Sequence, residues 1–125
     1  MTHTTDQDIQ AETVDGIMTA MFRIIQNLED MPAIALYAKL GEEVGEFGEV
    51  VLTQCGYNVH KTKELESPFG EAADVIYCVM GVLAKLHPAM SPIQLVQELY
   101  NQLQVKGNKY AGILINSPAT KNVHL

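Results

Sequence analysis

Residues 11 to 29 carry apolar side chains at Val14, Ile17, Met18, Met21, Ile25 and Leu28, the three-and-four spacing of an amphipathic helix. Asp30-Met31-Pro32 interrupts that pattern, and a proline is well placed at the start of a second helix, which the spacing predicts over 33–54. Residues 56–68, GYNVHKTKELESP, are polar, end in Ser-Pro and read as a loop. A third helix is expected over 69–87, stopping before Pro88. Ser91 as cap and Pro92 in the first turn predict a fourth, over 92–106. Its apolar face is Leu95, Val96, Leu99 and Leu103. Residues 1–10 and 112–125 read as loose tails. With no strand, repeat or low-complexity segment, the pattern predicts one all-α domain over 1–125, a four-helix bundle.

Composition narrows the setting. The 125 residues are 47% hydrophobic, enough for one compact core. No apolar run reaches the roughly 20 residues that a membrane helix needs. The polar start MTHTTDQDIQ resembles neither a secretory nor a transit peptide. Cys55 and Cys78 lack metal-type spacing and read as reduced thiols of a cytoplasmic protein. The net charge of −7 argues against broad binding to nucleic acid or an anionic membrane. An acidic chain that binds phosphates needs metal ions or a local basic cluster.

The segment GEEVGEFGEV at 41–50 places four glutamates within the second helix. At about 100° per residue, Leu36, Leu40, Phe47, Val50 and Gln54 all fall within about 60° of Glu43. Glu43 is thus centred on the apolar stripe, and Glu46 stands about 60° to one side. Glu42 and Glu49 border the polar face. In the third helix Glu71 and Asp74 share a sector with Val75, Cys78 and Val82. A single Glu-x-x-Glu on a helix is usually solvated. Two acidic pairs set into apolar stripes on separate helices are different, because buried carboxylates without partners are costly and repel one another. The two helices offer only Lys39 on that side. A divalent cation relieves the cluster better. Di-iron bundles require Glu-x-x-His, whereas Glu46 and Asp74 occupy the i+3 positions here. The all-oxygen set of Glu43, Glu46, Glu71 and Asp74 points to Mg²⁺ or Mn²⁺.

EEVGE at 42–46, followed after 24 residues by EAAD at 71–74, resembles the EExxE…ExxD signature of the MazG-like, all-α nucleoside triphosphate pyrophosphohydrolases. The likeness covers the second and third helices closely and the fourth loosely. It implies Mg²⁺-dependent cleavage of a (d)NTP to the monophosphate and pyrophosphate, by attack of water on the α-phosphorus. Carried over by position, Glu43, Glu46, Glu71 and Asp74 become metal ligands, and Glu42 joins Glu43 in catalysis by holding a further metal or orienting the water. Family members often carry a lysine about one turn before an asparagine, then a basic residue and an aromatic. Asn108, Lys109 and Tyr110 fit that pattern; Gln104 departs from it, leaving Lys106 or a different register to supply the first cation. These four residues, Lys106, Asn108, Lys109 and Tyr110, are the candidate phosphate contacts. A basic helix end is also favoured simply by the helix dipole.

Other residues carry less. His60, with Lys61 and Lys63, reads as a solvated loop histidine, and His87 as a helix-end residue. Arg23, Gln26 and Asn27 are candidates for a base pocket. Gly41, Gly45 and Gly48 fall opposite Glu43 beside Ile34, Ala38 and Leu52. Glycine within a helix costs up to about 1 kcal/mol relative to alanine, so this face suggests close approach by another helix, from a homodimer or a homotetramer. Two further readings remain open at this stage. One is a narrower relative of dUTPase or phosphoribosyl-ATP pyrophosphohydrolase type. The other is a non-catalytic helical dimer that binds metal or nucleotide.

Overall fold

The computed structural model describes residues 4–57 and 67–112. They form four helices and, among the described residues, no strand: α1 (Asp6–Gln26), α2 (Ala33–Gln54), α3 (Pro68–Leu86) and α4 (Pro92–Tyr110). The all-α class follows the pattern, and the helix ends show where local chemistry overrode it. Residues 6–10, expected in a loose tail, are the first turns of α1. Thr5 and Asp8 form a capping box there: Thr5 Oγ1 accepts from the Asp8 N–H at 3.2 Å, and Asp8 Oδ2 accepts from the Thr5 N–H at 3.1 Å. The helix stops three residues before the expected 29, where Asn27 Nδ2 donates to the Arg23 carbonyl at 2.9 Å.

α2 has the expected bounds. Gly56 takes the left-handed φ of 85° just beyond it, and the Tyr57 N–H reaches the Leu52 carbonyl at 2.9 Å. This is the glycine-ended stop that satisfies the last carbonyls. Ser67-Pro68 caps α3 as Ser91-Pro92 caps α4, each serine oxygen accepting a backbone N–H three residues on. α4 runs four residues past the expected end at 106. Gly107 sits inside it, since one glycine weakens a helix by about 1 kcal/mol without ending it.

The chain forms two compact units, Met1–Ala89 and Met90–Leu125. In the first, α3 packs along α2 and over a shorter stretch along α1. α2 and α3 are antiparallel: Glu43 lies by Glu71, Lys39 by Tyr77 and Leu36 by Gly81. The core is Leu36, Val50, Cys78 and Met80, each at most 1% exposed. A Cβ on Gly81 would lie 3.2 Å from methyls of both Leu28 and Leu36, so this glycine lets α2 and the chain just past the end of α1 close onto α3. The apolar stripe of α1 is covered only near that end, and Val14, Ile17 and Met18 are exposed.

In the second unit, Leu95 and Val96 are the buried residues of α4. Both cysteines are free, Cys55 exposed and Cys78 buried. No helix among the described residues is long and apolar enough to cross a membrane. Most of the expected loop 56–68, with His60, Lys61 and Lys63, lies outside the described residues, as does 113–125.

Candidate metal centre

Antiparallel pairing sets the middle of α2 against the first turns of α3. Carboxylate oxygens of Glu43, Glu46 and Glu71, one from each residue, all lie within 4.8 Å of one another. Glu43 and Glu46 are one turn apart on α2, so their side chains are neighbours by helix geometry. Glu71 sits in the first turn of α3, where the positive end of the helix dipole favours an acid.

The three differ in setting. Glu71 is buried, Glu43 half-buried and Glu46 exposed. The sequence-based expectation that Glu46 is buried with Glu43 is thus corrected: a residue about 60° off the stripe's centre lands at the rim of a two-helix contact. Asp74 is likewise exposed. It stands outside the trio but close enough for its charge to act on Glu43. Its shorter side chain, one turn beyond Glu71, leaves it at the edge. Glu42 points to solvent on the exposed side of α2.

Glu43 is the strained member. Its Oε2 is buried, and among the described residues no donor meets it. Burial above all, then the charges of Glu46 and Asp74 and a hydrogen bond with Glu46, push its carboxyl above the ordinary value, while Lys39 pulls it partly back. Lys39 Nζ lies 3.4 Å from Glu29 Oε1 and 5.6 Å from the centre of the Tyr77 ring. Glu29 and Tyr77 had no signal in the sequence, because both reach Lys39 only through tertiary packing. The Cys78 thiol is pushed up by burial first and by Glu43 second, which disfavours a nucleophilic thiolate.

The donor set fits a hard divalent cation. It is all oxygen, drawn from two helices, and one buried oxygen, Glu43 Oε2, meets no donor among the described residues. Lys106, Asn108, Lys109 and Tyr110 occupy the last turns of α4, in the other unit. Lys106 and Tyr110 are exposed, Asn108 and Lys109 half-buried, and Lys109 Nζ sits 5.5 Å from the Tyr110 ring centre. Arg23, Gln26 and Asn27 are exposed at the end of α1. Comparison of the chain with protein-family models, curated proteins and solved structures gives no significant match.

Proposed function

We propose that the chain is a Mg²⁺-dependent nucleoside triphosphate pyrophosphohydrolase, with Mn²⁺ able to substitute, acting in control of the cytoplasmic nucleotide pool. One observation carries the reading: three carboxylates converge within 4.8 Å, and the most strained of them has a buried oxygen with no donor among the described residues. Such a cluster has little structural use, since apolar residues in its place would be as stable or more so. The EExxE…ExxD spacing adds the reaction class.

In this reading Glu43, Glu46 and Glu71 hold the cation and Asp74 completes the set from the rim. The cation, when bound, offsets the triphosphate charge and lowers the pKa of water. Glu42, exposed one position before Glu43, orients the attacking water. The water oxygen bonds to the α-phosphorus as the bond from that phosphorus to the α–β bridging oxygen breaks. Pyrophosphate leaves with that electron pair, and the water's proton passes to a cluster carboxylate or to solvent. The resemblance adds Lys106, Asn108, Lys109 and Tyr110 of α4 as candidate phosphate donors, the kind of group that phosphoryl transfer calls on.

The same reading takes the protein as a homodimer or homotetramer. The α2 face opposite Glu43 supports this: Ile34 is 72% and Leu52 46% exposed, and a Cβ on Gly41, Gly45 or Gly48 would meet nothing within 4 Å. A monomer in sedimentation at micromolar concentration overturns it.

The test measures pyrophosphate and monophosphate release from a panel of canonical and modified (d)NTPs with Mg²⁺, Mn²⁺ or EDTA. Turnover is expected with either metal and none in EDTA. Glu43→Gln and Glu71→Gln are each expected to reduce it by about 100-fold or more, at least the loss seen when residues supporting metal ligands are removed. Absence of turnover with every triphosphate and both metals sinks the enzymatic reading. Turnover confined to dUTP or phosphoribosyl-ATP identifies the narrower relative instead.

A further inference from the structure

Lys39 stands one turn before Glu43 on α2, about 40° around the helix from it, which makes the two side chains neighbours. Three elements of the first unit meet at its ammonium. α2 carries it, Glu29 from the segment after α1 lies 3.4 Å away, and the Tyr77 ring of α3 lies 5.6 Å away. A 3.4 Å contact is at the long end for a charged hydrogen bond. Both side chains are partly solvated, at 33% and 50% exposure, so Glu29 holds Lys39 only weakly. Beside them stand four acids, Glu43, Glu46, Glu71 and Asp74. Among the described residues of α2 and α3, Lys39 is the cation that helix spacing sets beside Glu43.

Resting on the metal-site reading above, we propose that Lys39 is the resident counter-cation of the acid cluster, a positioning residue that offsets the carboxylates' repulsion when no divalent ion is held and opposes that ion when it enters. The reasoning is electrostatic. An ammonium one turn from Glu43 attracts the carboxylates and repels a doubly charged ion by the same field. The Glu29 carboxylate and the Tyr77 ring both attract a cation and bias the ammonium toward this side of α2 without fixing it. Lys39 therefore stabilises the cation-free protein modestly and weakens its hold on the metal.

The experiment uses the full chain and compares wild type with Lys39→Gln and Lys39→Arg at low salt and pH 8. Mn²⁺ affinity is measured by calorimetry, and melting is followed with EDTA and with Mn²⁺. Lys39→Gln is expected to bind Mn²⁺ roughly three- to ten-fold tighter, the scale of a partly screened single charge, and to melt lower in EDTA. Lys39→Arg, which keeps the charge, is expected to match wild type in affinity. Unchanged or weaker Mn²⁺ binding by Lys39→Gln overturns the proposal. So does a Lys39→Arg variant that behaves like Lys39→Gln, since shape rather than charge would then matter. Failure of both wild type and Lys39→Gln to bind Mn²⁺ removes the metal site itself, a different failure.

Discussion

Replacing Glu43 with glutamine should stabilise the cation-free protein while removing its response to metal. The glutamine keeps the shape and deletes one charge from a cluster whose oxygens lie within 4.8 Å of one another. At that distance two unit charges repel by about 1 kcal/mol in a water-like medium and by about 3.5 kcal/mol at an effective dielectric of about 20. Glu43 meets two such neighbours, but Glu46 is exposed and Lys39 offsets part of the repulsion. The net gain is therefore taken near the lower limit, about 1–2 kcal/mol. For a chain of this length that is a rise in Tm of about 3–8 °C. Calorimetric melting in EDTA at low salt and pH 8 measures it.

Mg²⁺ should reverse the order. At about 100 times its Kd a ligand stabilises the folded state by about 2.7 kcal/mol, and Glu43→Gln forfeits most of that. The pH dependence has a definite sign. The folded-state pKa of Glu43 is raised from 4.5, chiefly by burial, so over the window above 4.5 the folded chain binds more protons than the unfolded one. Stability then falls as pH rises through the raised pKa, and is recovered as pH falls toward 4.5. The gap between Glu43→Gln and wild type in EDTA should shrink accordingly on going from pH 8 toward pH 5. A Glu43→Gln protein that melts at or below wild type in EDTA at pH 8 would refute the reasoning, because the carboxylate would then be stabilising without a cation.

Three further outcomes separate the parts of the site and of the fold. Glu71→Gln should weaken Mn²⁺ binding more than Asp74→Asn in calorimetry, since Glu71 is in the carboxylate trio and Asp74 stands at the rim; equal losses would place Asp74 among the direct ligands. Gly81→Val should cost about 1–3 kcal/mol in urea unfolding, because its first added carbon already lies 3.2 Å from Leu36, a fully buried side chain. Gly45→Ala, whose added carbon meets open space, should instead stabilise a monomer by about 0.5–1 kcal/mol. A destabilised Gly45→Ala protein means that a second chain packs there.

Much of the helical architecture was legible because its signals are local. Serine-proline pairs, a glycine stop and three-and-four spacing act within one or two turns. The helix ends that depart from the expected bounds do so at such signals: Thr5 with Asp8 is a capping pair, Ser67-Pro68 repeats Ser91-Pro92, and α4 continues through Gly107. Glu43 and Glu71 were legible as inward acids because each is flanked by apolar residues at helical spacing. Glu46 and Asp74 were not, since a residue at the margin of a stripe is buried or exposed according to how a neighbouring helix is placed.

The sequence by itself thus determined the class of fold, the second helix to the residue and the pair of acids at the centre of the cluster. Helix periodicity decides which side chains share a face, and that is a property of one segment. Tertiary structure alone decided that Glu43, Glu46 and Glu71 meet within 4.8 Å while Asp74 stays at the edge. It also set Lys39 between Glu29 and Tyr77, and brought Leu28 and Leu36 onto Gly81. Those contacts depend on the register of antiparallel helices, which is fixed by packing between distant residues and leaves no mark in the spacing along either one.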